Sequence, residues 1–335
     1  MLACCSFFKI KRNVGEGMIE FKHVSKKYGN KIAVDDVSFK INEGEFFVLI
    51  GPSGCGKTTT LKMINRLIPL TEGYIYFKDS PISDYPVYEM RWDIGYVLQQ
   101  IALFPHMSVK ENIAQVPQMK GWDKDRIDQR VDELLKMVNL DPDTYRDRKP
   151  DELSGGQRQR VGVVRALAAD PPVILMDEPF SALDPISRTK LQDDLIELQK
   201  QIKKTIVFVT HDIDEAMKLG DRICLLNEGH VEQIDTPEYF INHPKNDFVK
   251  QFISQYDRNV QQQLKLDDVL ENTELKSLQS TQDLPVVQHD TPLKKVYEDL
   301  ARYNAVAVER DGKTHMLTRE DVFNFLADSE RGDAS

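Results

Sequence analysis

Residues 51–58 are Gly51, Pro52, Ser53, Gly54, Cys55, Gly56, Lys57 and Thr58, a fit to G-x-x-x-x-G-K-[ST]. Glycines let backbone wrap closely round a phosphate, with consecutive N–H groups and a helix N-terminus facing the anion. Lys57 then reaches the β and γ phosphates of a nucleotide, and the Thr58 hydroxyl is a ligand for Mg²⁺. A chance glycine turn would also contain these residues, but further motifs follow in order. Asp177 and Glu178 come directly after the apolar run Val173 to Met176. Asp177 is placed to hold Mg²⁺ through water, and Glu178 to act as general base on a water attacking the γ-phosphate. His211 follows Val207-Phe-Val-Thr210, where an imidazole can hydrogen-bond the γ-phosphate and orient that water. A second anion site is written in Ser154, Gly155, Gly156 and Gln157, which lead into a helix expected from Arg158 to Ala169. Two phosphate sites with one complete nucleotide set suggest that the second acts on a neighbour's nucleotide.

Those residues need a scaffold that brings them together. Phe46-Phe-Val-Leu-Ile50 is an unbroken apolar, β-prone run, as suits a buried parallel strand, and a helix can continue through Thr59 to Asn65. Ile94 to Leu98, Val173 to Met176 and Thr205 to Val209 are strands of the same kind. Helical patterns between them, such as Leu191, Leu195, Leu198 and Ile202, predict a mostly parallel α/β sheet. In such a sheet the C-terminal strand edge is the ligand edge. Short strands are expected at Ile19–Phe21 and Val37–Ile41, and a hairpin around Asn227-Glu-Gly229. Tyr28 is an aromatic in a polar turn before the glycine loop, able to stack on an adenine or merely to close the turn. Ile127, Val131, Leu134, Leu135 and Val138 at helical spacing predict a helical insert.

The chain has 335 residues and a formal net charge of −10, which allows two domains and gives no overall attraction to nucleic acid. Its four cysteines match neither a zinc pattern nor a disulfide framework, so a reduced, cytoplasmic setting is expected. No apolar stretch approaches the ~18–20 residues of a membrane span. Residues 1–17 make a poor signal peptide, because their charges follow the apolar part. They are expected to be a disordered or mis-started extension, with Met18 opening the fold. From residue 259 onward there are 9 Lys/Arg against 15 Asp/Glu, with Gln261-Gln-Gln263 reading as linker. A small α+β module follows, ending in a helix opened by the capping box Thr318-Arg-Glu-Asp321.

Taken together, residues 18–250 resemble an ABC-transporter ATPase subunit, an α/β P-loop NTPase with a helical subdomain. The carriers are the Walker A loop 51–58, a Q-loop glutamine at Gln99, the signature Leu153 to Gln157 and Walker B ending in Asp177-Glu178. The D-loop Ser181-Ala-Leu-Asp184 and the switch His211 complete the order. The resemblance implies an ATP sandwich of two such chains, each ATP with Mg²⁺ lying between one Walker A and the partner's signature. It implies a peripheral place on the cytoplasmic face of the membrane, against permease subunits fed by an extracellular solute-binding protein. Gln99 is then a ligand for Mg²⁺ or water, and Leu103, Phe104 and Pro105 a docking patch.

A finer resemblance is to importers of glycine betaine, carnitine, choline and related osmoprotectants. It rests on residues 94–106, Ala168-Ala-Asp-Pro-Pro172 and Ile206 to Asp212. An importer of an amino acid, polyamine or sugar remains open, as does a soluble ATPase outside transport, although no second cassette, coiled-coil insert or zinc module accompanies this one. The C-terminal region resembles one CBS motif at 284–328, after a linker or degenerate remnant at 259–283 and before a tail at 329–335. The ATPase domain is expected at 18–258, with its helical subdomain at about 100–165.

Overall fold

The computed structural model describes residues 17–99, 102–181, 183–261, 266–271, 276–277, 284–289, 291, 293–310 and 313–332. The expected extension therefore lies outside the described residues, save Gly17. Gln100, Ile101, Ala182, Gln262, Gln263, Asp290, Pro292, Asp311 and Gly312 lie outside them too. Strands β1 (Gly17–Tyr28) and β2 (Lys31–Asn42) pair antiparallel. The sequence predicts shorter strands here. Irregular steps in the ladder, with His23 and Asp36 at positive φ, interrupt the alternation without ending the pairing.

The chain continues through β3 (Phe46–Ile50), α1 (Lys57–Ile64), β4 (Glu72–Phe77), β5 (Ser80–Pro81), α2 (Val87–Trp92) and β6 (Ile94–Val97). Four helices follow: α3 (Val109–Met119), α4 (Lys124–Met137), α5 (Pro142–Tyr145) and α6 (Gly155–Leu167). Then come β7 (Val173–Asp177), α7 (Pro185–Ile202), β8 (Thr205–Val209), α8 (Ile213–Leu219), β9 (Arg222–Asn227), β10 (His230–Asp235), α9 (Pro237–Asn242) and α10 (Asp247–Gln261).

Six of these strands form one sheet in the order β10-β9-β3-β8-β7-β6, parallel except for β10. Every residue of β3, β7 and β8 is buried, because both faces of the sheet are covered. Side chains alternate between two cores. Phe46, Val48, Ile174, Met176, Ile206 and Phe208 pack with the helices, whereas Phe47, Leu49, Val173, Leu175, Val207 and Val209 pack toward the antiparallel sheet β2-β1-β4-β5. Each such side chain contributes about 1.5–3 kcal/mol on burial. A polar residue at any of these positions would forfeit that and strand a donor or acceptor between the layers.

After α10 come α11 (Leu266–Glu271), β11 (Lys276–Ser277), β12 (Val286–Gln288), α12 (Leu293–Arg302), β13 (Ala305–Arg310), β14 (Lys313–Thr318) and α13 (Arg319–Gly332). Their sheet runs β11-β14-β13-β12. Thr318 and Asp321 cap the last helix reciprocally: Thr318 Oγ1 accepts from the Asp321 amide at 3.3 Å and Asp321 Oδ2 from the Thr318 amide at 2.8 Å. One boundary differs from the sequence reading. Leu266, Val269 and Leu270, read as linker or remnant, are buried in the same small core as Val296, Leu300, Val306 and Leu317. Their i, i+3, i+4 spacing gives α11 one apolar stripe, and the module supplies the surface that covers it. Among the described residues no helix is long and apolar enough to cross a membrane.

Candidate functional site

Because β3, β6, β7 and β8 are parallel, their C-terminal ends lie on one edge. The register sets Leu49 and Asp177 beside Val209, and Val97 beside Met176. The residue after each end is thus delivered to one place: Gly51 after β3, Gln99 shortly after β6, Glu178 after β7, His211 after β8.

Between β3 and α1 the loop closes through positive φ at Gly51, Gly54 and Gly56. No side chain caps α1, whose N-cap Gly56 has φ 106°. The first amides of that helix, at Lys57, Thr58 and Thr59, therefore present N–H groups with no side-chain partner to an anion. The Lys57 ammonium is buried over the loop and donates to the carbonyls of Gly51 at 2.7 Å and Pro52 at 3.0 Å. The Cys55 thiol is buried beneath it, and burial raises its pKa. A cavity of about 450 Å³ opens over the loop, walled by Ser53, Thr58, Thr59, Glu178 and, at its outer end, Tyr28. Tyr28 closes β1 with its ring exposed and the Lys26 ammonium 4.7 Å from the ring centroid.

At the inner end, Thr58 Oγ1 donates to Asp177 Oδ1 at 2.9 Å. Two residues that sequence reasoning missed hold the other carboxylate oxygen: the Tyr96 hydroxyl donates to Asp177 Oδ2 at 3.3 Å, and the Lys62 ammonium stands 3.7 Å from it. Burial and the Asp177 charge raise the Tyr96 pKa strongly, so the phenol stays a donor. Lys62 had a usable signal, since it lies four residues after Thr58 on the same helix face. Tyr96 had only its polar oxygen within an otherwise apolar strand.

Glu178 has φ 44°, a left-handed conformation costing a non-glycine residue roughly 1–2 kcal/mol. Its amide donates to Val209 O, and its carbonyl accepts from the Ser181 amide and hydroxyl. That pinned backbone aims the carboxylate at two partners: Gln99 Nε2 donates to Glu178 Oε2 at 3.3 Å, and His211 Nδ1 lies 3.2 Å from the same oxygen. Three residues the sequence set 79 and 33 positions apart meet at one oxygen. Gln99 is seen here on Glu178; its expected ligation of a metal is a separate matter.

Ser154, Gly155, Gly156 and Gln157 are elsewhere. The helix they open begins at Gly155, three residues earlier than the expected Arg158, because Ser154 is a full N-cap. Ser154 Oγ accepts from the Gln157 amide, Gln157 Oε1 from the Ser154 amide, and Gln157 Nε2 donates to the Tyr145 hydroxyl. None of these four lines the cavity over the phosphate loop. Gly155 and Gly156 face the D-loop side, toward Leu183 and Ser187.

A sequence-family description, "ABC transporter", matches residues 34–181. The carnitine transport ATP-binding protein OpuCA of Listeria monocytogenes is 54% identical over 70% of this chain and 59% of its own length. The choline transport ATP-binding protein OpuBA of Bacillus subtilis is likewise 54% identical, over 70% of this chain and 62% of its own. A solved dimeric structure of the ATP-binding cassette MJ0796 in a post-hydrolysis state, bound to ADP and Pi, is 38% identical. It matches with a TM-score of 0.59 over 66% of this chain and 99% of that one. The chain belongs to the ABC transporter ATPase family. It spans about three-fifths of the length of the two curated relatives.

In this ABC ATPase the sequence motifs divide into two groups that do not meet within the chain. Walker A, Walker B, the Q-loop glutamine and the switch histidine form one hydrogen-bonded group; the signature forms the other. Beside them, the loop after the Q-loop is displayed by Asn112, which is fully buried. Its Oδ1 accepts from the Phe104 amide, and its Nδ2 donates to the carbonyls of Phe104, Met107 and Ser108. Phe104 itself is 44% exposed, while Leu103 packs on the core.

Proposed function

We propose that this chain is the ATP-binding and ATP-hydrolysing subunit that energises an importer of osmoprotectants such as carnitine, choline or glycine betaine. The observation that carries the hydrolytic part is Glu178, strained and shared by Gln99 and His211, at the mouth of the phosphate cavity. In this reading Lys57 and the α1 amides hold the β and γ phosphates, and Tyr28 stacks on the adenine. Thr58 and Asp177 are oxygen donors already 2.9 Å apart, and two protein ligands fit Mg²⁺, which keeps water and phosphate oxygens in its shell. Bound there, Mg²⁺ would neutralise charge on the phosphates. Tyr96 and Lys62 keep the Asp177 carboxylate oriented. Glu178 takes a proton from the water as its oxygen bonds to the γ-phosphorus, the bond to the β–γ bridging oxygen breaks, and ADP and phosphate leave. His211 and Gln99 orient that water.

A second copy of this chain is the partner that completes the site, its Ser154 to Gln157 covering the γ-phosphate. The membrane partners are permease subunits docking on the loop that presents Phe104, with the solute-binding protein acting through them at the cell surface. This places the chain peripherally on the cytoplasmic face of the membrane, with no nucleic-acid partner. The cargo assignment rests on the carnitine and choline relatives. Module 284–328 is read as one CBS-like regulatory motif, which deletion of 259–335 followed by ATPase assays across ionic strength would test.

The direct test is Glu178→Gln, which keeps shape but cannot accept the proton. Nucleotide binding should persist, turnover should fall by ~10²–10⁴-fold, and a nucleotide-bound dimer should accumulate. Near-normal hydrolysis by that variant overturns the assignment.

A further inference from the structure

The loop Thr210–Asp212 that carries His211 is tied to helix α7, and one buried carboxylate makes the tie. Glu215 occupies the third position of α8, where an acid in a capping box reaches back to the N-cap amide. Here it does not. The Asp212 amide goes instead to Thr210 Oγ1 at 3.0 Å, and Thr210 donates that hydroxyl to Glu215 Oε2 at 2.6 Å. The other oxygen, Oε1, accepts from Gln192 Nε2 of α7 at 3.4 Å. Gln192 is held in turn by Lys218, which also pairs with Asp193. A second strut runs parallel: Arg188 of α7 stands 3.8 Å from Asp212 and donates to the Leu183 carbonyl of the D-loop at 3.3 Å. Asp184, the last residue of that loop, caps α7 through the Ser187 amide.

Glu215, Gln192 and Thr210 are all buried, at 5%, 8% and 2% exposure. Sealing a carboxylate there is costly, and an apolar side chain of the same size would cap α8 no worse. The bonds it makes connect a switch loop to a helix rather than closing a helix end. His211 by contrast has an exposed ring that lies against Glu178, so its position depends on the loop beneath it. We infer that Glu215 is a positioning residue, which through Thr210 and Gln192 makes the His211 loop and the D-loop helix move as one body. Resting on the hydrolytic reading above, the tie would let the D-loop, beside the signature Gly155 and Gly156, report on one nucleotide site to the histidine of another.

The experiment compares full-length wild type with Glu215→Gln, Gln192→Leu and the double variant, measuring kcat, KM and the Hill coefficient for MgATP, with a melting curve for each. Gln192→Leu cuts the tie from its α7 side without touching a charge, so the claim survives a folding failure of the other variant. Each single variant should lower kcat by ~5-fold and the Hill coefficient toward one, with KM little changed, and the double variant should lose no more than the worse single. Glu215→Gln should also flatten a limb of the kcat–pH profile near neutrality, since burial pushes the Glu215 carboxyl up to about 7; the Asp212 charge beside it acts the same way, and the Thr210 hydrogen bond and Arg188 act against it. Unchanged kcat and Hill coefficient in folded Gln192→Leu overturn the inference. A wild type that does not hydrolyse ATP overturns the hydrolytic reading instead.

Discussion

At the phosphate loop the chain's own packing dictates glycine. A Cβ on Gly51 would stand 2.1 Å from the Leu226 carbonyl oxygen, and one on Gly56 2.4 Å from that of Ala33, both at positive φ. At the signature helix the same addition meets nothing nearer than 4.0 Å at Gly155 and 3.8 Å at Gly156. The helix starts differ as well. α1 has no side-chain cap, while α6 is capped twice over by Ser154 and Gln157. One end of the machinery is shaped by intrachain sterics and leaves its amides for a ligand. The other is self-satisfied within the chain and leaves room for a side chain at both glycines.

The widest break between the two ends should come from alanine at equivalent positions. Gly56→Ala forces a clash with backbone at a left-handed φ, and strain of ~1–3 kcal/mol or more should appear as a lowered melting temperature and weakened nucleotide binding. Gly156→Ala should melt with the wild type and bind nucleotide normally, yet lose turnover by at least ~10-fold once a second copy must close over it. Equal melting shifts for the two variants would erase the distinction.

Much of this contrast was readable beforehand, and the reason is local. Phe46 to Ile50 before Gly51, and Val173 to Met176 before Asp177, announce buried parallel strands by composition alone, and parallel strands share a ligand edge. Glu178 and His211 followed from that edge, and the glycine loop from its motif. What was not readable depends on backbone angles and on pairs far apart in the chain. The left-handed turn at Glu178 has no compositional mark, and Tyr96 meets Asp177 across 81 positions. Gln192 and Glu215 carry no mark in the sequence, because their hydrogen bond joins two helices across 23 positions. Leu266 and Leu270 read as linker or remnant because their covering surface, around Val306 and Leu317, comes some 40 residues later.

A second prediction bears on the strut between the two ends. The Glu215 carboxyl is raised from 4.5 to about 7 by burial, so the folded chain binds a proton there that the unfolded chain has released. Its contribution is fully present below pH ~4.5 and is lost as pH rises toward 7, by up to about 3 kcal/mol. Relative to wild type, Glu215→Gln should gain in melting temperature between pH 5 and 7.5. A difference that stays constant across that range would mean that the buried carboxyl titrates normally.

A third prediction sharpens the idea of a partner-facing region. Asn112→Ala removes four buried hydrogen bonds and should cost ~2–3 kcal/mol in the isolated chain. Phe104→Ala should be nearly silent there, within ~0.5 kcal/mol, and uncouple hydrolysis from transport when permease subunits are present. Normal transport by Phe104→Ala would remove the docking role.

The central claim, that one chain's phosphate loop works with another chain's signature, is tested most directly by mixing. Lys57→Ala chains and Ser154→Arg chains are each expected to be inactive alone. In a mixed dimer one composite site carries both lesions and the other neither, so an equal mixture should recover up to about a quarter of wild-type ATPase activity if chains pair at random. Were both halves of the site supplied by the same chain, every site in the mixture would carry a lesion, and no activity would return.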